Sequence, residues 1–121
     1  MKRLLAAMLL ILPVTSMADH LDVIEVKLKE GCTFSSYLAI AKDFNEWGKA
    51  NGYHAEVLMP LQRSTLDTVF WVGRSANAAA FGKAWDTWRD ALGNPDSVPA
   101  KLWARLAACS TNVSRTGYDT Y

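Results

Sequence analysis

The stretch LDVIEVKL at residues 21–28 places Ile24, Val26 and Leu28 on one side of an extended chain and Val23, Glu25 and Lys27 on the other. Period-two alternation around β-branched residues predicts a strand with one buried face. Downstream, Glu30-Gly31 breaks the strand and Thr33 can cap a helix. The apolar positions of that helix, Phe34, Tyr37, Leu38, Ala41, Phe44 and Trp47, recur at the three-to-four spacing of a single buried stripe. Asn51-Gly52 ends it, because glycine accepts the left-handed conformation that closes many helices.

Residues 53–59 return to period two, with Tyr53, Ala55, Val57 and Met59 on one side and His54, Glu56 and Leu58 on the other. A connection at 60–65 leads to a third strand at 68–74, rich in β-branched and aromatic residues (Val69, Phe70, Trp71, Val72). Ser75 and Asn77 offer caps for a second helix, whose Ala80, Phe81, Ala84, Trp85, Trp88 and Leu92 share one face until Gly93-Asn94-Pro95 stops it. Helical spacing makes core packing the default for these aromatics. A shorter helix is predicted at 97–108, capped by Ser97 with Pro99 in its first turn and Leu102, Trp103 and Leu106 inward. Residues 111–118 complete the order as a fourth strand.

Upstream of the first strand, residues 1–18 read as an address. Lys2 and Arg3 precede an apolar core at 4–12, and Ser16-Met17-Ala18 offers a small-residue cleavage site before Asp19. The apolar run is too short for a permanent membrane span, and no cysteine follows the cut to carry a lipid. The expectation is an exported chain, periplasmic or extracellular, with no membrane anchor after cleavage and a single α+β domain at 19–121. Lys2 and Arg3 leave with the leader, so the 13 basic and 12 acidic residues of the whole chain reduce to a near-neutral mature protein. That balance argues against nucleic acid as a partner. The two cysteines, Cys32 and Cys109, fall in the exported part, where an oxidising compartment favours a disulfide over a metal site.

The βαββαβ order, with an extra short helix before the last strand, is that of the ferredoxin-like split βαβ unit. With its aromatic-rich helices the chain resembles the dimeric α/β-barrel superfamily, in which two four-stranded antiparallel sheets pack face to face. The resemblance implies a homodimer, and a sheet in which the last strand lies beside the first. Cys32 and Cys109 would then meet at adjoining strand ends. The fold hosts oxygenases, isomerases, dismutating enzymes and plain binders, so it does not by itself choose a function.

If Ile24, Val26, Ala55, Val57, Phe70 and Val72 face the helices, alternation sends Glu25, Lys27, His54, Glu56, Val69 and Trp71 to the opposite face. In a face-to-face dimer that surface, with Val113 and Arg115 from the fourth strand, lines the barrel interior. His54 would be the proton acceptor, Arg115 would hold an anion, and Glu25, Glu56 and Trp71 would complete a ligand site. Cross-strand salt bridging on a half-exposed sheet is the competing reading for the same residues. His20 is expected to be solvated. A metal site from His54, Glu56 and Glu25 lacks diagnostic spacing, and no catalytic triad, phosphate loop or nucleotide-binding glycine pattern is present.

Within the resembling superfamily, cofactor-independent and haem-degrading monooxygenases use an Asn, Trp and His set. Trp71 and His54 match two of these types, whereas residues 20–29 contain no Asn. The leading expectation is therefore a protein that binds a small apolar or anionic molecule between sheet and helices, with no cofactor. The alternatives are a cofactor-independent oxygenase or isomerase using His54, and a structural or partner-binding envelope protein. Mass spectrometry of the exported protein is expected to show Asp19 as the first residue; an intact Met1 on the soluble exported form would contradict cleavage.

Overall fold

The computed structural model describes residues 18–62 and 67–121. The leader expected at 1–18 lies outside the described residues except for Ala18, as does the second half of the connection expected at 60–65. The elements are β1 (His20–Leu28), α1 (Phe34–Asn51), β2 (His54–Leu58), β3 (Thr68–Ser75), α2 (Ala78–Ala91), α3 (Val98–Cys109) and β4 (Ser110–Asp119). Their ends fall within a residue or two of the sequence reading.

Local chemistry explains those ends. Thr33 Oγ1 accepts from the Ser36 N–H at 3.1 Å, and Gly52 closes α1 at φ 68° while its N–H bonds the Gly48 carbonyl. Asn77 Oδ1 caps α2 through the Ala80 N–H at 2.8 Å, and Ser97 Oγ caps α3 through the Ala100 N–H at 3.1 Å, with proline in the first turn. Each such cap contributes about 1 kcal/mol.

The strands form one sheet in the order β2-β3-β1-β4, with every pair antiparallel. This is the α+β ferredoxin-like arrangement expected from the sequence. The three helices cover one face, where Val26, Val69 and Ala55 of the sheet meet Tyr37, Ile40 and Phe44 of α1, Ala84 and Trp88 of α2 and Leu102 of α3.

The phase of β3 differs from expectation. Trp71 lies opposite Ile24 on one side and Val57 on the other, and Val69 lies opposite Val26. Directly paired residues share a face, so Val69 and Trp71 point toward the helices while Phe70 and Val72 point to the open face. A continuous apolar run carries no alternation to set its phase. On the helix side the indole N–H finds a partner, the Tyr53 hydroxyl at 2.9 Å.

Cys32 and Cys109 are joined, with Cα atoms 5.1 Å apart across a separation of 77 residues. The bridge fastens the loop after β1 to the last residue of α3, beside a backbone bond from the Lys29 N–H to the Cys109 carbonyl at 2.9 Å. Thiol titration of the unfolded, unreduced protein is expected to find no free sulfhydryl. Replacing both cysteines by serine should lower unfolding free energy by about 2–4 kcal/mol in a urea melt; a pair of free thiols in native material would contradict the bridge.

Candidate functional site

Between the inner face of the sheet and the three helices lies a cavity of about 460 Å³. All five tryptophans of the chain line it: Trp47 from α1, Trp71 from β3, Trp85 and Trp88 from α2, and Trp103 from α3. The helical stripe that places Phe44 and Trp47 in α1 aims them at the stripe of α2, and the rings meet mostly on edge. Phe44 is the hub, its centroid 4.8 Å from Trp71, 5.1 Å from Trp88, 5.4 Å from Trp47 and 5.5 Å from Tyr53. Edge-to-face contacts of this kind add about 0.5–1.5 kcal/mol each beyond the area they bury. Trp85 and Trp103 remain partly exposed at the rim.

One wall of this apolar box carries a charge. Asp22 of β1 is only 2 % exposed. Arg115 of β4 clasps it with two bonds of 2.7 Å, from Nε to Oδ1 and from Nη2 to Oδ2. The Tyr53 hydroxyl donates to Oδ2 at 2.9 Å and accepts the Trp71 indole N–H at 2.9 Å. The guanidinium also lies over the Trp85 ring, 4.3 Å from its centroid, and 5.9 Å from that of Phe81. A buried carboxylate would cost several kcal/mol unpaired, and here each oxygen has a donor.

Electrostatics follow from the same contacts. Burial, then the neighbouring Asp22 charge, push the Tyr53 phenol far above its ordinary range. Burial alone pushes Tyr37 up to about 12. Burial works against the Arg115 charge, but the hydrogen bonds and charge of Asp22 outweigh it and raise the guanidinium pKa. Two glycines make room for Tyr53: a Cβ on Gly73 would fall inside its ring, and one on Gly48 would collide with its carbonyl.

The residues singled out in the sequence separate into two groups. Trp71 and Arg115 line the cavity on the helix side. His54, Glu56 and Glu25 lie on the other side, opposite Arg74, Val72 and Phe70 respectively. The five therefore share no cavity, and His54, exposed, borders a shallow groove with Lys49, Gly52 and Arg74. Arg115 pairs with Ile24, which puts it on the inner face. There the Asp22 carboxylate needs a cation, while the register of β4 shifts across Val113. His20 is not solvated: its side chain is 14 % exposed, its Nδ1 lies 2.9 Å from Asp119 Oδ1, and its ring sits 4.7 Å from Phe81.

Sequence reasoning missed Asp22 and Tyr53. The signal was present, since Asp22 has the same parity as Ile24, Val26 and Leu28, and a carboxylate on a buried face demands a partner. Among the described residues no group of three or more His, Cys, Asp or Glu could hold a metal ion. No described helix is long and apolar enough to cross a membrane.

The chain is thus an α+β protein of ferredoxin-like fold with an aromatic cavity between its sheet and helices. No family model matches it, and no curated protein matches it in sequence. Among solved structures it is similar to SnoaB, a cofactor-independent oxygenase from Streptomyces nogalater, with a TM-score of 0.57 and 12 % identity over 86 % of this chain and 94 % of that one. It is also similar to protein SO0527 from Shewanella oneidensis (TM-score 0.54, 15 % identity, 86 % of this chain and 92 % of that one). A third similar structure is the hydroxynitrile lyase from Passiflora edulis (TM-score 0.54, 15 % identity, 87 % and 95 %). At these identities the likeness is one of fold.

Unfolded tyrosines ionise near pH 10, whereas Tyr37 is held to about 12 and Tyr53 higher still. Between those limits the unfolded chain binds fewer protons than the fold, so stability falls as pH rises above about 10. Phenolate absorbance is expected to show Tyr37 and Tyr53 ionising only as the fold opens. Ionisation of all four tyrosines before any loss of near-ultraviolet dichroism would contradict the burial and pairing of Tyr53.

Proposed function

We propose that this protein is an exported, disulfide-stapled homodimer that binds a small organic molecule in the cavity between its sheet and helices. The observation that carries the reading is the gathering of every tryptophan in the chain around one cavity with a paired charge in its wall. A packed core has no use for such a void, because close packing is what gives a core its dispersion energy. Cavities of 300–1,000 Å³ lined by rings and a few placed polar groups are the usual form of a small-molecule site.

Export is supported by the leader at 1–18 and by a cysteine pair at bonding distance. Dimerisation is supported by the open sheet face. Its centre is apolar, with Leu21, Val23, Phe70 and Val72 half-buried and Tyr118 beside Leu21, and Lys27, Glu56 and Arg74 stand around them. Such a face fits a second copy of itself.

The oxygenase or isomerase alternative relied on His54, and it loses support because His54 lies across the sheet from the cavity. A purely structural role leaves the cavity without a use. Intrinsic tryptophan emission, titrated with 2-naphthol, is expected to show saturable quenching. Ala84, buried on α2, lines the cavity, and Ala84→Phe should fill it and weaken binding by about tenfold or more, a loss of roughly 1.4 kcal/mol. An absence of saturable quenching, or an unchanged affinity in the filled variant with its fold intact, would contradict the reading.

A further inference from the structure

Among the charged groups of the cavity wall, hydrogen-bonding capacity is one-sided. Both Asp22 oxygens are taken, Oδ1 by Arg115 Nε and Oδ2 by Arg115 Nη2 and the Tyr53 hydroxyl. Tyr53 gives its single proton to Asp22 and already accepts from the Trp71 indole. What the charged groups retain is donors, beside the neutral Ser110, Thr111 and Asn112 of the same wall. Arg115 uses one planar edge of its guanidinium on Asp22, and planarity turns the Nη1 group to the edge away from that carboxylate. Lys29, also on the wall, spends one of its three N–H groups on the Ala107 carbonyl at 2.6 Å. Among the charged residues lining the cavity, the two cations Lys29 and Arg115 face the single anion Asp22. The lining is therefore positive by one charge, with Arg115 paired to Asp22 and Lys29 exposed.

We propose that the ligand of this cavity is a flat aromatic acid, its ring system against the indoles and its anionic oxygen on the free edge of Arg115. This rests on the cavity being a ligand site. An organic cation, the other charged class that aromatic walls attract, is disfavoured because Arg115 already occupies the place it would take, over the Trp85 face and against the Asp22 carboxylate. A monoanion instead cancels the excess charge and meets a donor whose geometry suits a carboxylate.

The test compares naphthalene-2-carboxylate with naphthalene-2-carboxamide, alike in shape and different in charge, by tryptophan quenching and titration calorimetry. The carboxylate is expected to bind about tenfold tighter or better, with a preference that shrinks as salt is raised. Arg115→Gln should bring the ratio close to one. Asp22→Asn, which frees the guanidinium from its partner, should widen the ratio, and it decides the matter if Arg115→Gln fails to fold. Equal affinities for the two probes, or a ratio indifferent to either substitution, would overturn the aromatic-acid inference and leave the cavity standing as a neutral binding site. Binding of neither probe would overturn both.

Discussion

A carboxylate placed on the dry side of a central strand is the constraint around which this molecule is arranged. Asp22 is exposed to 2 % and sits on β1, between β3 and β4. Leaving such a charge unpaired costs about 3–5 kcal/mol when a partner is lost, so the fold must bring donors to it. Arg115 comes from the edge strand β4, almost the whole chain away, and Tyr53 from the turn between α1 and β2. Tyr53 can reach it only because Gly73, which pairs with Asp22 across the sheet, has no side chain to occupy the same space. Gly48 lets the Tyr53 backbone approach α1. One buried oxygen pair thereby ties together the register of three strands and the exit of a helix.

The cavity follows from what surrounds that pair. Large rings that meet edge-on around Phe44 leave space where smaller aliphatic residues would interlock. α3 closes one side through Trp103 and Leu106, and the Cys32–Cys109 bridge and the Lys29 bond to Ala107 hold its last turn against β1. The result is an apolar chamber with one polar wall, the combination on which the proposed binding of a small molecule rests. The other face of the sheet is built differently. Its half-buried Val23, Phe70 and Val72 and its charged margin belong to contact with a second copy under the reading proposed above.

Element order and boundaries were legible in the sequence, because strands such as 21–28 alternate cleanly and the caps Thr33, Gly52 and Ser97 have strong local chemistry. The meeting of Cys32 and Cys109 was expected from the strand order that the fold resemblance implied. The site was legible only in part. Alternation within β1 and β2 assigned faces correctly, but Val69 to Val72 form an unbroken apolar run with no alternation to set its phase, and the phase adopted bonds Trp71 to Tyr53, a residue from outside that strand. A shift in register across Val113 likewise hides the side on which Arg115 falls. Those two positions moved Trp71 and Arg115 to the helix side and left His54 with the surface carboxylates. Long-range satisfaction of polar groups, not local pattern, settled which residues share a chamber.

The most direct test of this account follows indole and imidazole resonances of isotope-labelled protein as an aromatic ligand is added. The account predicts that the indole N–H signals of the cavity tryptophans, Trp71 foremost, shift with a common saturation curve while the His54 imidazole signals stay in place. Movement of the His54 signals with the indoles unchanged would put the ligand on the open face of the sheet and contradict it.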